Sequence, residues 1–135
     1  MNKTAADQLV GLLRDTIVAL VRGEEPDLTA RQLAVFLTCY LEAEAQTVRG
    51  LAAALNISKP AITRALDRLG SFELIRRKTD PLDRRSVLVQ RTAKGNTFVR
   101  DLTRIMRDVA GSAGDEIGGN LPRTPPRGRG STLNG

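Results

Sequence analysis

The hydrophobic residues of this chain recur every three to four positions as far as Leu69, and from Leu74 they switch to every second position. That change of period fixes the order of elements, because a 3.6-residue pattern cannot lie in a sheet and a two-residue pattern cannot keep one helix face apolar. The helical part divides into four. The first helix is expected over residues 4–21, with Leu9, Leu13, Ile17 and Leu20 on one stripe and Val10, Leu12 and Val21 widening it. So broad an arc is expected to pack on more than its own domain. After the break at Gly23-Glu24-Glu25-Pro26-Asp27, Thr29-Ala30-Arg31-Gln32 has the spacing of a capping box and opens a helix through Leu33, Phe36, Leu37, Tyr40 and Leu41. Thr47 caps a shorter helix with Val48, Leu51, Ala52 and Leu55 inward. Ser58, with Pro60 tolerated in the first turn, caps a fourth that carries Ile62, Ala65, Leu66 and Leu69.

The alternating part predicts two short strands, 74–78 and 86–91, joined through the turn-prone Asp80-Pro81-Leu82-Asp83. Thr92 then caps a last helix with Phe98, Leu102, Ile105, Met106 and Val109 on one side, ended by Gly111 and Gly114. The expected fold is mainly α with a small β hairpin. The last 25 residues hold seven Gly and three Pro, so 111–135 are expected to form a disordered basic tail. What remains, residues 1–110, suits one domain, since a second would leave each half too little surface to bury.

With no histidine in the chain, imidazole bases, Ser-His triads and His-ligated metal sites are excluded. The acidic pairs Glu24-Glu25 and Glu42/Glu44 flank loops or helix ends, and no motif places a partner acid for them. No catalytic residue, metal site or cofactor is therefore assigned, and the chain is not expected to be an enzyme. The single cysteine, Cys39, cannot form an intramolecular disulfide or a CxxC clip, which points to a reducing compartment. Lying at the fringe of its helix's apolar arc with no basic neighbour in sequence, it is expected to be a packed thiol rather than a redox sensor. No run reaches 18 apolar residues and Met1-Asn2-Lys3-Thr4 does not open a signal peptide, so no membrane partner is expected and the protein is placed in the cytoplasm.

The formal charge of +6 makes a polyanion the natural partner. Its distribution is uneven. Residues 59–94 carry ten basic and four acidic groups, a net +6, while residues 1–58 carry five and seven, a net −2. Within that basic window, residues 47–69 read as two helices joined by the tight turn Leu55-Asn56-Ile57-Ser58, a helix-turn-helix whose second helix can enter a major groove. Its outward arc on a helical wheel holds Pro60, Ala61, Thr63, Arg64, Asp67 and Arg68. Small residues there permit close approach, and arginines reach guanine edges or phosphates. Ser58 and Lys59 stand at the helix start, where exposed amides suit a phosphate. The hairpin over 74–91 follows directly, with Arg76, Arg77 and Lys78 along its first strand and Arg84 and Arg85 at its tip. A helix-turn-helix followed by a basic hairpin is a winged helix, and a tip arginine suits a narrow minor groove.

The run Asp80-Pro81-Leu82-Asp83-Arg84-Arg85, then Val87-Leu88-Val89 and Thr92-Ala93-Lys94-Gly95, resembles the wing signature of the multiple-antibiotic-resistance regulator (MarR) family. Leu28-Thr29-Ala30-Arg31-Gln32, Leu51-Ala52-Ala53-Ala54-Leu55 and Leu66-Asp67-Arg68-Leu69 match its other landmarks, so the resemblance spans about residues 5–110. It implies a homodimer whose recognition helices enter successive major grooves of a near-palindromic site. It also implies that Asp83 holds a wing arginine in place, that Arg84 or Arg85 enters the minor groove, and that Ser58, Pro60, Ala61, Thr63 and Arg64 make recognition contacts. Members usually close the dimer with the first helix and two C-terminal helices. Here the Gly/Pro tail stands where the last helix would run, so residues 4–21 and 93–110 are expected to form most of the interface. The resemblance leaves room for a small-molecule effector, but no residue identifies one.

The expected function is that of a sequence-specific regulator of transcription that binds double-stranded DNA and works at the nucleoid. The alternative is a winged-helix adaptor that docks on another regulator or on polymerase. Such a surface would show apolar anchors on the second helix or wing, where this chain has mainly Arg, Thr, Asp and Lys.

Overall fold

The computed structural model describes residues 4–112, so the expected tail lies outside the described residues from 113 on. Five helices and three strands follow one another as α1 (Ala5–Arg22), α2 (Ala30–Leu41), β1 (Gln46–Thr47), α3 (Val48–Leu55), α4 (Lys59–Ser71), β2 (Ile75–Asp80), β3 (Asp83–Arg91) and α5 (Ala93–Ser112). The fold is mainly α with a small antiparallel hairpin, in the order that the change of period predicts. Gly111 does not end α5 but sits in its last turn. No helix among the described residues is long and apolar enough to cross a membrane.

Local chemistry sets the helix starts. Thr29 and Gln32 form the complete capping box of α2, with Thr29 Oγ1 accepting from the Gln32 amide at 3.1 Å and Gln32 Oε1 accepting from the Thr29 amide at 3.0 Å. Thr47 Oγ1 accepts from the Gly50 amide and Ser58 Oγ from the Ala61 amide. Each cap is worth about 1 kcal/mol. Asn56 ends α3 in the left-handed region at φ 54°, and the Ile57 amide reaches back to the Ala52 carbonyl. That reversal redirects the chain into α4 within two residues.

The chain forms two compact units, one of them Leu20–Arg104 and the other the described residues on either side of it. In the first, Val35, Phe36, Leu51, Ile62, Leu66, Leu69 and Leu74 are fully buried. Three of the chain's four aromatic rings meet there, Phe36 lying 4.4 Å from Tyr40 and 5.2 Å from Phe98 between centroids. The Tyr40 hydroxyl ties three elements together by donating to the Leu74 carbonyl at 2.6 Å and accepting from the Thr92 amide at 2.9 Å. Gly95 is required beside it, because a Cβ at that position would overlap the Tyr40 hydroxyl and the Leu74 carbonyl oxygen. In the second unit, Leu9, Val10, Leu13 and Ile17 of α1 are exposed, so much of the stripe read from the sequence is left uncovered by the described residues.

The sheet has three strands in the order β1-β3-β2, not the two expected. Gln46 and Thr47 pair with Val89 and Leu88, which attaches the start of α3 to the hairpin. Both long strands also extend further toward the tip than alternation suggested, because polar residues occupy both faces of an exposed hairpin there.

Candidate nucleic-acid interface

The packing of α4 decides which of its side chains are free. Ala61, Ile62, Ala65, Leu66 and Leu69 are buried, while Lys59, Pro60, Thr63, Arg64, Asp67 and Arg68 are exposed. Ala61 therefore needs correction. It is only 5% exposed and does not belong to the outward arc on which the helical wheel placed it. The reason is the neighbouring helix: Ala61 and Ala65, one turn apart, line a groove with Thr29, Arg31 and Gln32 at the start of α2. Ser58 remains exposed, but its hydroxyl oxygen already accepts the Ala61 amide as the cap. Arg68 lies over the Phe72 ring at 4.6 Å, which steadies its guanidinium at the C-terminal end of α4.

The hairpin divides its basic residues by strand alternation. Ile75 and Arg77 share one face of β2 and Arg76 and Lys78 the other. Arg77 points to the recognition-type helix, where its guanidinium meets the Asp67 carboxylate at 2.7 Å. The two groups are 36% and 59% exposed, so the pair adds little stability, on the order of 0–1 kcal/mol, but it ties the wing to α4. Arg76, Arg77 and Lys94 line an open groove between the end of α4, the start of β2 and the start of α5, and Lys78 is exposed further along β2.

At the tip the register breaks. Thr79 faces Val87, whereas the next residue, Asp80, faces Asp83, so Arg84, Arg85 and Ser86 have no partner on β2. The Asp80 carboxylate accepts the Leu82 amide at 2.9 Å and the Asp83 carboxylate accepts the Arg85 amide at 3.1 Å, which fixes the turn. The Arg85 side chain itself is 93% exposed and stands 3.9 Å from Asp83. Leu82, at the extreme of the turn, is 94% exposed.

Not every cation of the basic window faces outward. Arg91 donates to the carbonyls of Cys39 and Glu42 at the end of α2 and lies 5.7 Å from the Tyr40 ring centroid, so it serves the fold. Together with Arg77 it accounts for two of the ten basic groups. Arg31 was not singled out in the sequence. It stands in a net acidic stretch, and only the packing of α2 on α4 brings it beside Arg64. Among the described residues no cluster of His, Cys, Asp or Glu could hold a metal.

Comparison with known proteins agrees with this geometry. Residues 28–87, from the approach to α2 into β3, match the model of the MarR family. Among solved structures, wild-type MarR of E. coli in its apo form is 26% identical, with a TM-score of 0.61 over 87% of this chain and 80% of that one. A transcriptional regulator of Thermotoga maritima gives a TM-score of 0.67 at 18% identity, over 82% and 75% of the two chains. A MarR-family regulator of a Rhodococcus species gives 0.59 at 24% identity, over 85% and 78%. Curated protein sequences give no match. Over residues 28–87 the chain matches the MarR family, and its winged helix-turn-helix fold is that of a DNA-binding regulator of transcription rather than an enzyme.

Proposed function

We propose that the protein is a sequence-specific homodimer that reads a near-palindromic site in double-stranded DNA, each protomer setting α4 in a major groove and its wing in the adjoining minor groove. The observation that carries this reading is the pairing, on consecutive elements, of an exposed α4 arc bearing Thr63 and Arg64 with a wing whose Arg84 and Arg85 stand outside the strand register. In this reading Arg64 and Thr63 meet base edges, with Pro60 leaving room at the groove floor. Ser58, Lys59, Arg68, Arg76 and Lys78 meet phosphates, and Asp83 fixes the turn from which Arg84 or Arg85 reaches the minor groove. Residues 1–110 act as one winged-helix domain, with residues 4–21 and 93–110 pairing two protomers. The exposed apolar stripe of α1 supports that pairing. Such a protein works in the cytoplasm, on the nucleoid.

The test is fluorescence anisotropy on a random duplex and on a site selected from a random pool, each over a salt series. Affinity is expected to fall by on the order of a thousandfold or more between about 50 and 200 mM salt if the dimer neutralises roughly 6–10 phosphates. Arg64→Ala should relax sequence preference, whereas Arg84→Ala and Arg85→Ala should weaken both duplexes alike. Equal losses on both duplexes for all three variants would remove the assignment of α4, and a shallow salt dependence would remove the DNA reading itself. One observation favours the adaptor alternative: the exposed Leu82 is the kind of anchor a protein partner would cover. That alternative predicts no duplex binding even at low salt.

A further inference from the structure

We infer that Arg31, at the start of α2, is a second anchor for the DNA backbone, on the flank of α4 away from the wing. Three observations meet here. First, the groove of about 480 Å3 between α2 and α4 is lined by Thr29, Arg31, Gln32, Ala61, Arg64 and Ala65, two guanidinium groups and no carboxylate. Among the described residues neither Arg31 nor Arg64 forms an ion pair, and both are exposed. Two like charges on one concavity without a neutralising acid suit an anion from outside. Second, the groove exists because Ala61 and Ala65 are small. Longer side chains at those positions would fill it.

Third, the order of residues around α4 gives that anion a place in the complex. At 100° per residue, Asp67, which holds the wing through Arg77, and Ala61, which meets α2, lie about 60° to either side of Arg64. If Arg64 points to the groove floor, the wing borders one side of the helix and the first turn of α2 the other. A helix about 10–12 Å across fills a major groove about 12 Å wide, so whatever borders the helix meets the phosphates of the groove walls. On one side those phosphates meet the wing, and on the other they meet Arg31. Arg31 thus positions the protein, leaving Arg64 to read sequence.

This assignment rests on the DNA-binding reading above, and its test separates the two. Arg31→Gln is expected to weaken binding to the random duplex and to the selected site by the same factor, about fivefold, and to lower the slope of log affinity against log salt by about 1 per protomer. Arg31→Lys, which keeps the charge, should restore the slope. Replacing single phosphates of the selected site by neutral methylphosphonates should identify one linkage per half-site whose neutralisation weakens the wild type but not Arg31→Gln. An unchanged slope in Arg31→Gln, beside a steep wild-type slope, overturns the role of Arg31 and leaves the DNA reading standing. A loss confined to the selected site also overturns it, since that would be base readout. A wild type that binds no duplex removes both.

Discussion

At the scale of single residues, Cys39 shows how packing decides chemistry. Its thiol is 4% exposed, and burial pushes its pKa from 9.0 up to about 11, with the charge of Arg91 offsetting part of that rise. A thiol held protonated is neither a nucleophile nor an oxidant sensor at neutral pH. Maleimide labelling near neutral pH is therefore expected to be slow in the folded protein and complete in denaturant. Comparable rates in both would contradict the burial. The raised value also links to stability, because the folded state keeps a proton that the unfolded state gives up. The contribution is complete below about pH 9 and is lost as pH rises towards 11, at about 1.4 kcal/mol per pH unit. Replacing Cys39 by Ala should remove that share of the alkaline fall in a denaturant titration. The same scale shows what a sequence discloses. The caps at Thr29, Thr47 and Ser58 were legible because each side chain bonds an amide three residues on. Ala61 was misplaced because the edge of a buried arc depends on where a neighbouring helix approaches. The need for glycine at 95 is set by Tyr40, a residue from another helix.

At the scale of elements, the wing and α4 behave as a coupled pair. The Asp67–Arg77 contact joins them at 2.7 Å, so the charge of Arg77 is already matched inside the protein. Arg77→Gln is expected to reduce affinity for the selected site severalfold while leaving the salt slope unchanged, whereas Arg84→Gln should lower the slope by about 1 per protomer. The exchange of both partners, Asp67→Arg with Arg77→Asp, should recover much of the lost affinity. A slope that drops in Arg77→Gln as it does in Arg84→Gln would show that Arg77 meets phosphate instead. Sequence placed Arg77 on the wing but could not tell a strut from a phosphate contact, because the distinction lies in a partner on another element. The helices and the hairpin were readable from periodicity. The strand β1 was not, since two residues carry no period, and Gln46 and Thr47 become a strand only because β3 offers Val89 and Leu88 beside them. The register break that frees Arg84 and Arg85 was hidden for the same reason.

At the scale of the whole molecule, the question is what covers α1. Leu9, Val10, Leu13, Ile17 and Val21 are all exposed, and they recur along the helix as a stripe. The periodicity made the stripe visible in the sequence, but the described residues do not cover it. Apolar surface left in water forgoes about 25 cal/mol per Å2, and a stable pair of protomers typically buries about 1,200–2,000 Å2 in total. A stripe of five large residues on a helix of 18 residues offers a core for such an interface. Leu13 and Ile17 sit one turn apart at its middle, where a charge would be desolvated without a counterion on pairing. Leu13→Glu together with Ile17→Glu is expected to turn a dimer into a monomer in sedimentation velocity. Far-ultraviolet circular dichroism should stay unchanged, since both side chains are already exposed within the protomer. Affinity for a two-half-site duplex should fall by about a hundredfold or more, because the second half-site is no longer reached at high effective concentration, while binding to a single half-site should persist. A dimer that survives both glutamates would move the interface away from α1, and a wild type that sediments as a monomer would end the proposal of a homodimer.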